Sequence, residues 1–469
     1  MYQQINKHIH FVGIGGIGMS GIATVLRAKG YTISGCDTDT HQKSIAQLKE
    51  IGCLIYEGNN TPSCHDPSID ILVYSSAIQS SSPEIIAAQE RGIPTIQRAT
   101  MLAELLRTTK CSIAVAGAHG KTTTTSMIAH ILLEAHLDPT IIVGGHLKNL
   151  SINARLGKGD ILVAEADESD RSFLKLHPSL AIITNIDLEH VDVYRDINDI
   201  KKAFLQFLHN IPFYGAAFVC IDNPHVRSLL PLPDVKITTY GFSEDADIGA
   251  RDIIVKSRYS SCTIWHRTVK VPLGTLFLTV PGRHNILNAI AAIAVSLELG
   301  VPFHTITHAL SHFSGVDRRF TYRGTFHGAE LFDDYGHHPT EIDAILNVAR
   351  ARAEKRLIVA FQPHRYTRTQ GLWNEFIDVF RAHTLDNLII TDIYSAGEQP
   401  INGITAASFA ESLKTPYTVS YQPAQPQWHA VSQAIKNLQP EPGDLILCLG
   451  AGKINKVLEV LIAEELTNT

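Results

Sequence analysis

Short apolar runs, each followed by a turn and a longer helical pattern, recur along the whole chain. Near the N-terminus the apolar runs are HIHFVGI, YTISGCD and DILVYSSA, and a helical pattern covers about 19–29 after the first run. Strands that alternate with helices in this way form parallel sheets. The pattern therefore predicts an α/β protein.

The same alternation divides the chain into three blocks, which we predict to be three domains. The first block covers 1–107. The second, 108–314, contains CSIAVAGAHGKTTTT, DILVAEADESD, LAIITNIDLEH and the helical stretch NILNAIAAIAVSLELG. The third, 315–469, contains GAELFDDYGHHPTE with a helix through Arg350, then RLIVAFQPHRYTRT and DLILCLGAGK. Ligands bind at the carboxyl ends of strands in open α/β sheets, so the polar residues that follow these runs are candidate site residues.

Composition and net charge limit the kinds of molecule that the chain is expected to bind. The chain of 469 residues is 45% hydrophobic and 18% charged, which is typical of a globular protein, and its net charge of −6 argues against a nucleic-acid partner. The seven cysteines include no C-x-x-C pair, so we expect a reducing compartment without a disulfide framework or structural zinc. The N-terminus has no signal-peptide pattern, and no apolar run is long enough to span a bilayer. We therefore expect a cytoplasmic protein that does not enter a membrane.

The first glycine-rich loop follows the first strand. It matches G-x-G-x-x-G through Gly13, Gly15 and Gly18, and Gly16 is a further glycine of the loop. Asp37 ends the second strand at the distance typical of a ribose contact, which favours a nicotinamide dehydrogenase. However, a glycine loop at a helix N-terminus suits any diphosphate, including a uridine-diphosphate sugar. A tight turn without a ligand is the third interpretation, and the agreement of strand, loop and helix argues against it.

The second glycine-rich loop, AVAGAHGKTTTT, lies between a strand and a helix at 114–125. It departs from the usual G-x-x-x-x-G-K-[ST] because Val115 stands where the first glycine belongs. Lys121 would neutralise the β- and γ-phosphates of a nucleotide, and the hydroxyl of Thr122 would bind magnesium. The rest of the phosphate cradle would be Gly117, Ala118, His119, Gly120 and Thr123. The alternative is an ordinary turn with a solvated lysine.

Two phosphate-binding loops in one chain are more informative than either alone. A dehydrogenase does not need a triphosphate site, and a plain ATPase does not need a separate diphosphate-binding domain. The pair predicts that ATP drives chemistry on a second, diphosphate-bearing substrate.

Charged residues follow the strands of the second block. The run ILVAEADESD delivers the carboxylates of Glu165, Asp167, Glu168 and Asp170. Glu165 is closest to the strand and is the preferred magnesium ligand, while His190, after the next strand, could serve a second metal. Arg318 and Arg319, at the start of the third block, could reach a phosphate or could simply be solvated.

Together these motifs resemble the Mur ligase family over essentially the whole chain. The loop GAHGKT fits the short family form G-[TA]-x-G-K-[TS], which explains Val115. The segments GIGGIGMSG, EADESD, TNI-x-x-EH, GRHNILNA, DRRF, DDYGHHPTE and QPHRYTRT look like the alanine-adding members of that family. The resemblance implies a Rossmann-like UDP-binding domain, a central P-loop ATPase-like domain with a parallel sheet, and a C-terminal Rossmann-like α/β domain.

The resemblance also implies substrates and residue roles. ATP and Mg²⁺ would drive the ligation of L-alanine to UDP-N-acetylmuramate through an acyl phosphate on the lactoyl carboxylate. Lys121 would hold phosphates, Thr122, Glu165 and His190 would bind metal, and Arg318 or Arg319 would reach the γ-phosphate. The nucleotide would further contact His284, Asn285, Asn288 and Asp334. The UDP-sugar and alanine would contact Gly13, Gly15, Gly16, Gly18, Asp37, His338, His364, Arg365 and Arg368.

Two positions test the resemblance within the family. Related members read ADH or xDH where this chain has Leu188-Glu189-His190, which leaves the role of Glu189 open. Other Mur ligases carry a modified metal-bridging lysine downstream, and Leu205 falls about there, as expected for the alanine-adding branch.

Alternative functions remain at this point. One is a recycling ligase that attaches a whole peptide to the same nucleotide sugar. The others are a nucleotide-sugar-binding regulator without catalysis and a nicotinamide oxidoreductase. For the ligase we expect a hinge near 314–319 that closes the third domain over the nucleotide. The oligomeric state, monomer or dimer, is left open.

Overall fold

The strands of the computed structural model form three sheets. The model describes residues 7–60, 62–75, 77–147, 152–190, 193–413 and 417–468. The three sheets draw their strands from 8–97, 111–278 and 321–449, so each sheet lies within one predicted block. The expected three-part α/β fold is confirmed. Below, each sheet with its helices is called a unit.

The first unit is a parallel sheet with the glycine loop at its centre. Its strands are β1 (His8–Val12), β2 (Thr32–Asp37), β3 (Leu54–Glu57), β4 (Ile71–Tyr74) and β5 (Thr95–Gln97). Its helices are α1 (Ile17–Ala28), α2 (Lys43–Glu50), α3 (Pro83–Glu90) and α4 (Arg98–Arg107), with a 3₁₀ turn at Pro62–His65. The strand order is β3-β2-β1-β4-β5, and all neighbours are parallel. Successive strands therefore extend the sheet to one side of β1 through β3 and then to its other side from β4. The loop between β1 and α1 therefore lies at a switch point, where α/β sheets bind ligands.

The second unit carries the second glycine loop on a central strand. Its strands are β6 (Cys111–Ala116), β7 (Thr140–Leu147), β8 (Ile152–Arg155), β9 (Ile161–Glu165), β10 (Leu180–Ile183), β11 (Ala216–Cys220), β12 (Lys236–Gly241), β13 (Ile248–Val255), β14 (Ser260–His266) and β15 (Val271–Leu278). Its helices are α5 (Lys121–Glu134), α6 (Ile197–His209), α7 (Pro224–Arg227), α8 (Arg283–Glu298) and α9 (Phe303–Ser311), with a 3₁₀ turn at Ser172–Lys175. The order is β15-β14-β13-β12-β11-β10-β6-β9-β7-β8. β6 pairs in parallel with β10 and β9, whereas β8, β14 and β15 join antiparallel, which the strand–helix alternation did not predict.

The third unit repeats the parallel design. Its strands are β16 (Thr321–Phe326), β17 (Ala329–Asp334), β18 (Leu357–Phe361), β19 (Asn387–Ile390), β20 (Thr418–Tyr421) and β21 (Leu445–Leu449). Its helices are α10 (Pro339–Arg352), α11 (Tyr366–Gly371), α12 (Trp373–Ala382), α13 (Ala406–Ser412), α14 (His429–Asn437) and α15 (Lys456–Asn468). The order is β16-β17-β21-β18-β19-β20, and only β16 pairs antiparallel among these strands.

The three units are joined in different ways. One continuous cluster of buried apolar side chains runs from the first unit into the second. At this junction α1 packs so closely on β7 and β8 that a Cβ on Gly21 would lie 3.3 Å from Ala154 and 3.4 Å from Ile142. Among the described residues, the core clusters of the third unit contain only residues of that unit. The first two units are therefore joined by apolar packing, and the third is the separable one.

Among the residues that the structure describes, no helix combines the length and the apolar character needed to cross a bilayer.

Two phenylalanines near the end of α6 test the packing of the second unit. Phe207 is fully buried, with its ring centroid 5.1 Å from that of Phe173, whereas Phe213 is 96% exposed. Phe207→Ala leaves a cavity and should cost about 3–5 kcal/mol of stability, lowering the thermal midpoint of this unit. Phe213→Ala is the matched control and should leave the melting curve nearly unchanged. Equal shifts in the two variants would contradict the described core.

Candidate active site

The second glycine loop is squeezed between a strand end and a helix. Gly117 and Gly120 have φ values of +135° and +81°, which glycine adopts without strain. A Cβ on Gly117 would overlap the hydroxyl of Thr184, and one on Gly120 would lie 2.5 Å from Oδ1 of Asn288. Glycine is therefore required at both positions by space as well as by backbone conformation.

Lys121 closes this loop on itself and is held by a buried carboxylate. Its Nζ donates to the carbonyls of Gly117 at 2.6 Å and Ala118 at 3.1 Å, and to Oε1 of Glu168 at 2.8 Å. Burial opposes the charge, but the carboxylates of Glu168, Glu189 and Asp167 together raise the pKa of Lys121. The ammonium therefore stays charged at the mouth of the loop. Sequence reasoning had named Glu168 only as one of four acids, since its lysine partner cannot be read from spacing.

Two groups of side chains near Lys121 suit a divalent cation. Thr122 Oγ1 donates to Oε2 of Glu165 at 3.2 Å, and the N–H of Gly144 donates to Oε1 of the same carboxylate at 2.7 Å. Burial raises the pKa of Glu165.

The second group consists of Glu168, Glu189 and His190, which place one ligand atom each within 4.8 Å of one another. His190 Nε2 lies 3.5 Å from both carboxylates. Oε2 of Glu168 is buried and has no hydrogen-bond partner in the described part of the chain. An orphaned carboxylate oxygen beside an imidazole fits magnesium or manganese. Glu189, whose role the sequence left open, thus faces the same point as His190.

Two cavities flank the loop, with volumes of about 590 and 430 Å³. Gly120, Arg319 and Glu341 line both cavities. Among the predicted site residues, the larger cavity is also lined by His119, Thr123, His284, Asn285, Asn288 and Asp334. The smaller cavity is lined by Gly16, Gly18, Ala118, Lys121, Thr122, Glu165, His190 and Arg368. The smaller cavity therefore joins the two glycine loops, which are about a hundred residues apart in sequence.

The larger cavity contains two titratable groups whose pKa values burial shifts toward the neutral form. Burial and then Arg319 lower the pKa of His284 to about 4, so this ring is neutral. Burial raises the pKa of Asp334 to about 6, although Arg319 opposes the shift. Asp334 accepts hydrogen bonds at 2.7 Å from the N–H groups of Phe320 and Gly336, which fix its carboxylate at the end of β17.

The structure separates the two adjacent arginines. Arg319 lines both cavities, with Nη1 3.5 Å from Oε1 of Glu341. Arg318 has a left-handed backbone, and its Nη2 donates to the carbonyl of Gly450 at 2.7 Å while Nε lies 3.5 Å from Asp333. Arg319 therefore faces the cavities, whereas Arg318 is occupied inside the third unit.

The third unit touches the second glycine loop through polar groups. Asp187 accepts from Nε2 of His119 at 3.1 Å and from the hydroxyl of Thr340 at 2.8 Å. Nδ1 of His119 lies 3.5 Å from Glu341. Burial alone would lower the pKa of His119, but Glu189, Asp187 and Glu341 raise it to about 10. Sequence reasoning missed Asp187, Thr340 and Glu341, although Asp187 does lie at a strand end.

A further contact missed from the sequence joins the first two units across the smaller cavity. Nη2 of Arg98 lies 2.9 Å from Oδ2 of Asp167, and both residues line that cavity. No motif indicated Arg98.

Several predicted substrate residues line neither cavity. Asp37 accepts from the N–H groups of Gly15 at 2.8 Å and Asp39 at 3.0 Å, so it holds the first glycine loop in shape. Gly13 forms the turn itself, donating to the carbonyl of Cys36 at 2.9 Å. The ribose contact of Asp37 stays a prediction.

Three further predicted substrate residues, His338, His364 and Arg365, also line neither cavity. The ring of His338 packs on that of His119 with centroids 4.8 Å apart. His364 stacks on Tyr394 and lies 3.3 Å from Nη1 of Arg368, while Nε of Arg365 donates to Glu398 at 2.6 Å. Arg368, by contrast, lines the smaller cavity.

Three models of the Mur ligase family match the three units, one model to each unit. The model of the Mur ligase family catalytic domain matches 8–110, the Mur ligase middle domain matches 115–296, and the Mur ligase glutamate ligase domain matches 318–452. UDP-N-acetylmuramate–L-alanine ligase of Geotalea uraniireducens (strain Rf4) is 47% identical over 465 residues, covering 98% of each chain.

Two solved ligase structures match this chain over nearly its whole length. The crystal structure of UDP-N-acetylmuramate-alanine ligase from Thermotoga maritima matches with a TM-score of 0.81 at 26% identity, covering 98% of this chain and 100% of that one. A murein peptide ligase from Psychrobacter arcticus shares the fold, with a TM-score of 0.71 at 24% identity over 97% of this chain and 98% of its own. This chain belongs to the Mur ligase family.

Proposed function

We propose that this enzyme joins the amino group of L-alanine to the lactoyl carboxylate of UDP-N-acetylmuramate and converts ATP to ADP and phosphate. The reaction is the first amino-acid addition in cytoplasmic peptidoglycan precursor synthesis. The observation that carries the proposal is the smaller cavity, which the GIGGIG loop and the Lys121 loop line together. The names of the relatives at 47% identity support the choice of substrates.

The two cavities suggest how the substrates divide. ATP occupies the larger cavity, with its adenosine near His284, Asn288 and Asp334. Its phosphates pass Gly120, which lines both cavities, toward Lys121. The diphosphate of the sugar nucleotide lies against the first loop at the N-terminus of α1, where backbone N–H groups and the helix dipole favour an anion. The lactoyl carboxylate then faces the γ-phosphate in the smaller cavity.

Magnesium is the cation that the donor set fits. Thr122 and Glu165 would hold one ion, and Glu168, Glu189 and His190 would hold a second. The orphaned Oε2 of Glu168 and the three ligand atoms within 4.8 Å support the second position. Bound there, the ions would supply positive charge to phosphate oxygens.

The reaction needs an activated acid, because a carboxylate has no adequate leaving group. Its oxygen attacks the γ-phosphorus, the bond to ADP breaks, and an acyl phosphate forms. The amine of alanine then attacks the acyl carbon, loses a proton, and expels phosphate. Lys121 and Arg319 stabilise the negative charge that develops on the transferred group and on the tetrahedral intermediate.

Exclusion of water is the remaining requirement, since acyl phosphates hydrolyse readily. The contacts of Thr340 with Asp187 and of Glu341 with His119 in the Lys121 loop support a closed arrangement of the third unit. The segment 314–319, between the second and third sheets, serves as the hinge.

The function is tested by ADP release in the presence of magnesium. Release should require both UDP-N-acetylmuramate and L-alanine, and the nucleotide sugar should gain the mass of one alanine residue. Lys121→Ala should lower turnover by about 10²–10³-fold because it removes charge at the transferred phosphoryl group. Lys110→Ala, whose side chain is 81% exposed, is the control and should be fully active. Turnover with a peptide but not with alanine would instead identify a recycling ligase, and no turnover with either would indicate a binding protein.

The two arginines give a second prediction. Arg319→Ala should lower kcat by about 10²-fold with little change in the thermal midpoint, because this side chain faces the cavities. Arg318→Ala should mainly lower the midpoint, because it frees the carbonyl of Gly450 and a buried Asp333. The measurement is steady-state kinetics together with thermal melts of both variants. The reverse pattern would exchange the two roles.

A pair of glycines gives a third prediction. Gly120 and Gly300 both have left-handed φ values, +81° and +76°, so alanine should cost about 1–2 kcal/mol of stability at either position. Only at Gly120 does the added Cβ meet a neighbour, Asn288, whereas nothing lies within 4 Å at Gly300. Gly120→Ala should therefore lower the affinity for ATP, as measured by titration calorimetry, and Gly300→Ala should leave that affinity unchanged. Equal affinities in the two variants would remove Gly120 from the nucleotide site.

A further inference from the structure

A separate cluster of metal-binding side chains lies inside the first unit. His10 on β1, Cys36 on β2 and Cys64 in the 3₁₀ turn place one ligand atom each within 4.8 Å of one another. The two thiol sulfurs are 3.4 Å apart. His10 and Cys36 are 0% exposed and Cys64 is 2% exposed. The cluster faces the apolar layer formed by Val12, Leu72 and Ile85, and none of its members lines the two active-site cavities.

The two ring nitrogens of His10 differ in their hydrogen bonding. Nδ1 of His10 is 2.7 Å from the hydroxyl of Ser34, which in turn lies 2.6 Å from Nε2 of His8. Nε2 of His10 is buried and has no hydrogen-bond partner within the part of the chain that the structure describes. A buried polar nitrogen left in this way costs free energy. A histidine held at one nitrogen by a hydroxyl, with the other nitrogen open, is arranged as metal-ligating histidines are.

We propose that His10, Cys36 and Cys64 bind one thiophilic d¹⁰ metal ion, zinc(II) or copper(I). Thiolate and imidazole are the preferred donors of both ions. Charge favours zinc(II), which two thiolates neutralise in a dry site. The number of donors favours copper(I), because structural zinc sites use four ligands and this cluster offers three.

Linear spacing does not reveal this site. The sequence argument against structural zinc depended on the lack of a C-x-x-C pair, but here the donors come from three separate elements.

The site would act on the first glycine loop through the backbone. The carbonyl of Cys36 accepts hydrogen bonds from the N–H groups of Gly13 at 2.9 Å and Ile14 at 3.1 Å. An ion bound to the Cys36 sulfur would fix the end of β2, on which the loop rests. The expected effect is stabilisation of the first unit and not a part in the phosphoryl chemistry.

Metal content and cobalt spectroscopy test the proposal. The full-length protein, purified without chelator, should contain close to one equivalent of zinc or copper per chain by elemental analysis, and which metal is found decides between the two ions. Because the site is buried, the protein should also be unfolded, stripped of metal and refolded with cobalt(II). A thiolate-to-cobalt charge-transfer band should then appear in the near ultraviolet. Such a band reports on cysteine ligands, so cobalt at Glu168 and His190 would not produce it.

Variants identify the ligands. Cys36→Ser and Cys64→Ser should each lose the band and the metal-dependent rise in thermal midpoint. Cys53→Ser changes another buried cysteine of the same unit and should retain both. If the serine variants fail to fold, the metal content and cobalt spectrum of the unaltered chain still decide the question.

Two results would overturn the proposal. One is an unaltered protein that contains neither metal and gives no cobalt band after refolding. The other is a thiol titration of the denatured, metal-free protein that finds two fewer thiols than its seven cysteines, since Cys36 and Cys64 would then form a disulfide.

Discussion

A buried ammonium group stays charged only beside a buried carboxylate, and the active site is arranged around this requirement at Lys121. The side chains of Lys121 and Glu168 are 17% and 4% exposed, and their charged atoms lie 2.8 Å apart. Such a pair contributes little net stability, but removal of one partner costs about 3–5 kcal/mol because a buried charge is left alone. The strand order of the second sheet brings Lys121 and Glu168 together. β9, which leads to Glu168, and β10, which leads to His190, are the two neighbours of β6, from which Lys121 follows.

The sequence predicts those parts of the site that one strand and its following loop determine. Strand ends located Glu165 and His190, and strand–loop–helix order located both glycine loops. Contacts between segments that are distant in sequence were not predicted. Asp187 and Thr340 are 153 positions apart, and their hydrogen bond exists only because α10 is placed against the end of β10. The antiparallel strands β14 and β15 were not predicted either, since β13, β14 and β15 follow one another without helices and the alternation rule concerns parallel sheets.

Asp37 and the two arginines show a different limit. Asp37 satisfies the spacing rule for a ribose ligand, and that contact stays a prediction, but spacing did not indicate that its carboxylate accepts from the N–H of Gly15 and shapes the loop. Spacing places a residue near a site but does not decide which donor it meets. Arg318 and Arg319 are equivalent in sequence terms. The left-handed backbone of Arg318, with φ of 57°, directs its side chain to Gly450 and leaves Arg319 at the cavities. The local backbone conformation that separates them is set by the third sheet and is not encoded in the dipeptide.

The different junctions between units match the needs of the proposed reaction. The first and second units share one apolar cluster, and separating them would expose that surface to water at a cost that grows with its area. They therefore hold the two glycine loops at a fixed separation, as the proposed transfer of the γ-phosphoryl group to a carboxylate of the second bound nucleotide demands. The third unit meets the Lys121 loop through Asp187, Thr340 and Glu341, whose partners water can replace. A polar junction opens at lower cost than an apolar one, so substrates can enter. In the proposed reaction, closure would bring Arg319 to the transferred phosphoryl group and exclude water from the acyl phosphate.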